Sequence, residues 1–141
     1  VANGGTGGTS YVKGEFHAFC TGLTLTTATT NFDFAGFGGT ATLCATSNTS
    51  AVSGTKMPTA GTIKNLFVNL GTAGKSGDKV TMLKNGSATG APTCTYATAT
   101  TCSDTSTALT VAAGDIITLS ISTSASSETS ANVAVSFELW N

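Results

Sequence analysis

Few side chains in this chain of 141 residues can do covalent chemistry, and their spacing narrows the options further. Four cysteines, Cys20, Cys44, Cys94 and Cys102, form an even set without a C-x-x-C pair, and His17 is the single histidine. The usual spacings of a tetrahedral zinc site are therefore missing. Disulfides are the expected state of the cysteines, with four buried thiols acting as small hydrophobes as the alternative. Cys94 and Cys102 bracket Thr-Tyr-Ala-Thr-Ala-Thr-Thr, a span that lets a β-hairpin set them opposite each other. The pair Cys20–Cys44 then follows by elimination. Oxidised cysteines would place the chain outside the cytosol, and a start at Val1 without a basic or apolar leader is compatible with signal-peptide removal, as it is with other origins.

Nucleophilic hydrolysis needs a base beside its nucleophile, and His17 comes without a G-x-S-x-G elbow or a similar motif. It reads as a strand residue facing solvent or an interface. Paired carboxylates can cleave glycosides, but of the acidic residues Asp78, Asp104 and Asp115 border expected strands, where Asp forms turns. No D-x-D-x-D-G run offers a calcium loop. Gly4-Gly5 and Gly7-Gly8 lack the Lys-Ser/Thr of a phosphate loop. The expectation is a protein that is not an enzyme and carries no metal or cofactor. Sugar stacking on outward aromatics, with Tyr11, Phe37, Phe67, Tyr96 and Trp140 as candidates, is the binding chemistry that survives.

The elements that position these groups are β-strands. Residues 1–10 form a Gly-rich arm by composition, and 11–141 reads as a single domain. Val12, Phe16, Ala18 and Cys20 share one expected face. Ala41-Thr42-Leu43-Cys44 reads as a short strand, and 46–59 as a long Ser/Thr/Gly connection. Leu66, Val68 and Leu70 alternate with Phe67 and Asn69; Val80 and Met82 lead into an Asn85-Gly86 turn. Ile117, Leu119 and Ile121 alternate with hydroxyl residues, and Val133, Val135, Phe137 and Leu139 alternate with Ala134, Ser136, Glu138 and Trp140. Period-two patterning of this kind fits half-buried antiparallel strands. About eight to ten short strands suggest an all-β, antiparallel two-sheet sandwich, a jelly roll being the commonest form.

Composition excludes several partners. Charged residues make up 9 %, the formal net charge is -1, and the chain holds 29 Thr and 15 Ser but neither Arg nor Gln. Six scattered lysines do not make a nucleic-acid footprint, and no apolar run is long enough to span a bilayer. A hydrophobic fraction of 40 % argues against disorder.

Several short motifs recur in a familiar order. Met57-Pro58-Thr59-Ala60-Gly61-Thr62-Ile63-Lys64-Asn65-Leu66 is followed by a Gly-Lys-Ser-Gly turn at 74–77 and a strand running into Lys84-Asn85-Gly86. Thr101-Cys102-Ser103-Asp104, Val111-Ala112-Ala113-Gly114-Asp115 and a closing Phe137-Glu138-Leu139 complete the set. Over about residues 55–140 the chain resembles the jelly-roll, tumour-necrosis-factor-like domain of bacteriophage and bacterial surface structural proteins. That resemblance implies a jelly roll of the kind found in tail fibres, capsid decorations and secreted surface proteins; it does not imply an enzyme.

A surface of low charge repels copies of itself weakly. The expected function is therefore a structural subunit of an extracellular assembly, a surface filament in which the N-terminal strand adds to a neighbour's sheet edge. Val12, Phe16 and Ala18 would fill alternate pockets there, while Phe67 and Trp140, apolar residues in the outward register, would lie under a neighbouring subunit. The alternatives are a trimeric phage capsid decoration or tail-fibre module and a carbohydrate-binding adhesin domain. Expected partners are copies of the chain, with a capsid or cell-surface glycan in the alternatives. Asn48-Thr49-Ser50 and Asn85-Gly86-Ser87 also match the N-glycosylation pattern.

Overall fold

The alternating runs pair into two antiparallel sheets that bury their apolar residues against one another. The computed structural model describes residues 12–25, 29–32, 46–47, 55–73, 77–96, 98–122 and 128–141. The strands are β1 (Val12–Leu25), β2 (Thr29–Phe32), β3 (Thr46–Ser47), β4 (Thr55–Lys56), β5 (Gly61–Leu70), β6 (Lys79–Lys84), β7 (Thr93–Thr95), β8 (Thr101–Asp104), β9 (Leu109–Val111), β10 (Ile116–Ser122) and β11 (Glu128–Trp140). The described residues contain no helix. The Gly-rich arm, Tyr11, the strand expected over 41–44, Cys44 and Asn48 lie outside the described residues. The connection expected over 46–59 contains two short strands, β3 and β4.

Sheet I runs β1-β11-β5-β8, with β9 pairing β5 beside β8; sheet II runs β3-β2-β10-β6-β7, with β4 pairing β10. Inward residues of both sheets meet in one core. Ile63, Leu66, Val68, Leu70, Leu109, Val111, Val133, Val135, Phe137 and Leu139 come from sheet I, and Val80, Met82, Cys94, Ile117, Leu119 and Ile121 from sheet II. Period-two alternation thus places the core of β5, β10 and β11 as expected. Burying such a side chain fully contributes about 1.5–3 kcal/mol, and the alternation makes a one-residue slip expose a whole row, which fixes the register.

The two sheets differ on their outer faces. In β10 the hydroxyl residues Thr118 and Ser120 are also buried, at 0 % and 7 % exposure, and so is Leu83, which pairs with Thr118. This central strand is buried on both sides, not half-buried as its pattern suggests. Sheet I keeps an open outer face: Phe67, Asn69, Ser103, Thr110 and Ala134 are exposed.

Two connections shape the sheet I surface. Between Ser136 and Glu138 the β11–β5 register shifts, with Ser136 opposite Phe67 but Glu138 opposite Lys64. Two β5 residues, Asn65 and Leu66, therefore face one on β11, and Asn65 adopts φ 55°, a left-handed conformation that Asn tolerates better than most residues. At the start of β5, Gly61 runs so close to the end of β11 that a Cβ there would come within 2.5 Å of the Trp140 carbonyl oxygen.

Cys94 and Cys102 form a disulfide. Its setting differs from the hairpin expected around it. Cys94 lies on β7, at the edge of sheet II beside β6, whereas Cys102 lies on β8, at the edge of sheet I beside β5. The intervening segment crosses from sheet to sheet, and the bond clasps one open side of the sandwich. A hairpin and a crossover of this length span similar distances, so spacing alone does not separate them.

Candidate functional site: the outer face of sheet I

The open face is ordered in rows that cross the strands. His17, Ser136, Phe67 and Ser103 are successive partners on β1, β11, β5 and β8. A second row holds Glu15, Glu138 and Lys64, and a third Trp140, Thr62 and Thr110. Directly opposed side chains on such rows approach within contact distance.

Phe67 dominates the first row. It is 49 % exposed, the sole large hydrophobic residue exposed to that degree among the described residues. Its neighbours in the row, Ser136 and Ser103, are too small to cover a phenyl ring. The ring is the main apolar area that this face presents to water, and covering it with another surface would be favourable in proportion to the area removed.

The second and third rows are tied together by Glu138. Its Oε2 accepts hydrogen bonds from Asn65 Nδ2 at 2.6 Å and from the Trp140 indole Nε1 at 2.7 Å. The left-handed bulge is what brings the Asn65 amide to this carboxylate, since an unbroken ladder would carry no extra residue between Lys64 and Leu66. Lys64 Nζ lies 5.3 Å from the centre of the Trp140 ring, a cation–π contact worth about 0.5–1 kcal/mol at an exposed site. Trp140 is therefore half-buried and held in place by its own chain, while Phe67 is left uncovered.

His17 and Glu15 form an exposed pair, with Nε2 and Oε2 3.4 Å apart. Glu15 and Glu138 sit side by side on adjacent strands of one sheet face. Among the described residues no three of His, Cys, Asp and Glu come together as a metal-binding group. No helix among them is long and apolar enough to cross a membrane.

The remaining residues singled out from the sequence have distinct positions. Phe16 pairs with Phe137 and stacks on it, ring centres 5.0 Å apart and planes 4° from parallel, on the inner side of sheet I. Ala18 and Cys20 pair with Val135 and Val133 in the same register, whereas a shift between Val12 and Gly14 sets Val12 opposite Trp140. Tyr96 is buried at 1 % exposure, and burial pushes its hydroxyl pKa well up. It is part of the core and offers no outward ring for a sugar.

Asp104 and Asp115 serve as turn residues, as expected. Asp104 Oδ1 accepts from the backbone N–H groups of Ser106 and Thr107, and its Oδ2 accepts from the N–H of Thr93 on β7. Burial disfavours its charge, but the hydrogen bonds from Thr107, Thr93 and Ser106 outweigh that and hold the carboxyl well below the usual range. The carboxylate thus reinforces the disulfide by joining β8 to β7. Asp115 accepts from Ala112 N–H and from the Asn85 amide, both of which lower its pKa. Comparison with protein-family models, with curated proteins and with solved structures gave no match.

Proposed function

We propose that this chain is a non-enzymatic structural subunit of an extracellular assembly, and that it associates with copies of itself through the outer face of sheet I. The observation that carries the reading is the contrast between the two sheets. The central strand β10 of sheet II buries even its outward hydroxyls Thr118 and Ser120 within the chain, while sheet I leaves Phe67 uncovered among small polar neighbours. A low-charge face of this kind opposes contact with a second copy only weakly.

The strand order supports a jelly roll. After β5 the chain passes from sheet I to β6 and β7 in sheet II, back to β8 and β9 in sheet I, to β10 in sheet II and finally to β11 in sheet I. Repeated crossing between two antiparallel sheets, with sequence-distant strands as neighbours, is how a double Greek key is built. The resemblance over residues 55–140 points the same way.

Strand exchange is the proposed means of linking subunits. β1 is the first strand and an edge strand, joined in sheet I to β11 alone among the described residues. Released from its own β11 and added to that of a neighbour, it would form the same ladder between chains, with Phe16 stacking on the neighbour's Phe137. Electron microscopy of the native protein tests the reading. Filaments that are lost on deletion of residues 1–10 support strand exchange with the arm; closed trimers unaffected by the deletion favour the virion-module alternative. Monodisperse monomers at high concentration refute assembly.

A further inference from the structure

The corner between β6 and β10 holds a chemically labile pair. Lys84 and Ser87 exchange two backbone hydrogen bonds of 2.9 Å around Asn85 and Gly86, whose φ values are 51° and 81°. A two-residue turn with positive φ at both positions selects Asn-Gly. The same pair favours an intramolecular reaction, because glycine has no Cβ to shield its backbone nitrogen from the preceding carboxamide. The Gly86 nitrogen attacks Asn85 Cγ, forming an N–Cγ bond. The Cγ–Nδ2 bond breaks, and ammonia leaves with the proton from Gly86. Water then opens the cyclic imide to aspartate or isoaspartate.

The fold opposes this reaction by holding both polar atoms of the carboxamide. Asn85 Nδ2 donates to Asp115 Oδ1 at 2.7 Å, and Asn85 Oδ1 accepts from the Ile116 N–H at 2.8 Å. The Asn85 N–H donates to the Ile116 carbonyl at 2.8 Å, so main chain and side chain together extend the ladder by one pair. Asp115 is fixed in turn by the Ala112 N–H, 2.8 Å from its Oδ2. For Gly86 to reach Cγ, the carboxamide must leave two partners, one of them a carboxylate.

We infer that Asn85 is a self-modification site kept latent by the Asp115 latch, so that opening of the β6–β10 corner is recorded as deamidation. The reaction runs one way. A carboxylate at position 85 no longer donates to Asp115 but repels it, and an isoaspartate adds a backbone carbon to a two-residue turn. Either product keeps the corner from closing again as before.

Peptide mass mapping of the intact chain, incubated at neutral pH either folded or in denaturant, tests this. Loss of one charged and one neutral hydrogen bond corresponds to about a thirtyfold to thousandfold difference in rate, so the folded chain is expected to deamidate at Asn85 at least about thirtyfold more slowly. Asp115→Ala is expected to erase most of that protection while the chain remains folded by circular dichroism. Asp115→Asn keeps the shape and a neutral acceptor, and is expected to lie between the two if the alanine variant does not fold. Equal rates in folded and denatured wild-type protein overturn the inference, as does wild-type protection in a folded Asp115 variant.

Discussion

Replacing Phe67 by Thr tests the proposed interface with little disturbance of the strand. Thr suits a pleated, half-exposed position, and the flanking Ser103 and Ser136 leave it room. A phenylalanine side chain presents about 200 Å², of which the 49 % exposure leaves roughly 100 Å² to be covered by a neighbour. At about 25 cal/mol per Å², that burial contributes roughly 2.5 kcal/mol per subunit to association, or a factor of about 70 in the equilibrium constant. The buried part of the ring also supports the monomer, so the variant should lose about 1–2 kcal/mol of unfolding free energy. Sedimentation equilibrium over a range of concentrations, compared with urea unfolding of the same samples, separates the two effects. A Phe67→Thr protein that remains folded and associates as tightly as wild type would refute the placing of Phe67 under a neighbour.

Other predictions concern the clasp between the sheets. Asp104→Ala removes the acceptor for three backbone N–H groups and should destabilise the fold by about 2 kcal/mol in urea unfolding, as expected for hydrogen bonds to a charged group. The Asp104 carboxyl is depressed in the folded state, so its contribution is complete above the unfolded-state pKa of about 3.9 and is lost as pH falls below that toward the folded value. Thermal midpoints of wild type should therefore drop on acidification below this point more than those of Asp104→Ala; parallel curves would count against the hub. For Cys94→Ala/Cys102→Ala, the 8-residue separation gives about 2.5 kcal/mol from loop-closure entropy. Chemical denaturation of the double variant should show a loss of that order.

Much of the sandwich was legible from side-chain alternation. In β5 and β11 the inner rows Leu66, Val68, Leu70 and Val133, Val135, Phe137, Leu139 are buried as the period of two requires. The outward register of Phe67 and Trp140 was legible for the same reason, since each interrupts a polar row. Their different environments were not. Trp140 is tied to Glu138 because Asn65 forms a left-handed bulge, and an Asn in an otherwise regular strand does not announce one. Thr118 and Ser120 read as solvent-facing because hydroxyls tolerate water, but Thr is also compact and uncharged enough to be buried in a central strand. The crossover at Cys94–Cys102 escaped detection because partner choice depends on which sheet each flanking strand joins, a non-local property.

The low charge of the chain acquires a physical role on sheet I. On the mapped rows the charged groups are few and locally matched: Glu15 lies beside His17, Glu138 accepts from Asn65 and Trp140, and Lys64 covers the Trp140 ring. What remains free to meet another surface is Phe67 among hydroxyl and amide side chains. A face of this kind has little long-range field to steer or repel a partner, so discrimination must come from contact, where one aromatic ring needs a complementary recess and each hydroxyl needs a hydrogen-bond partner. A second copy, the partner proposed above, would present a surface of the same composition at the same concentration. The clasp formed by the disulfide and Asp104 acts at the opposite edge of sheet I from β1, joining β8 to sheet II. That arrangement anchors sheet I to sheet II at β8, while β1 at the other edge is held by its ladder to β11.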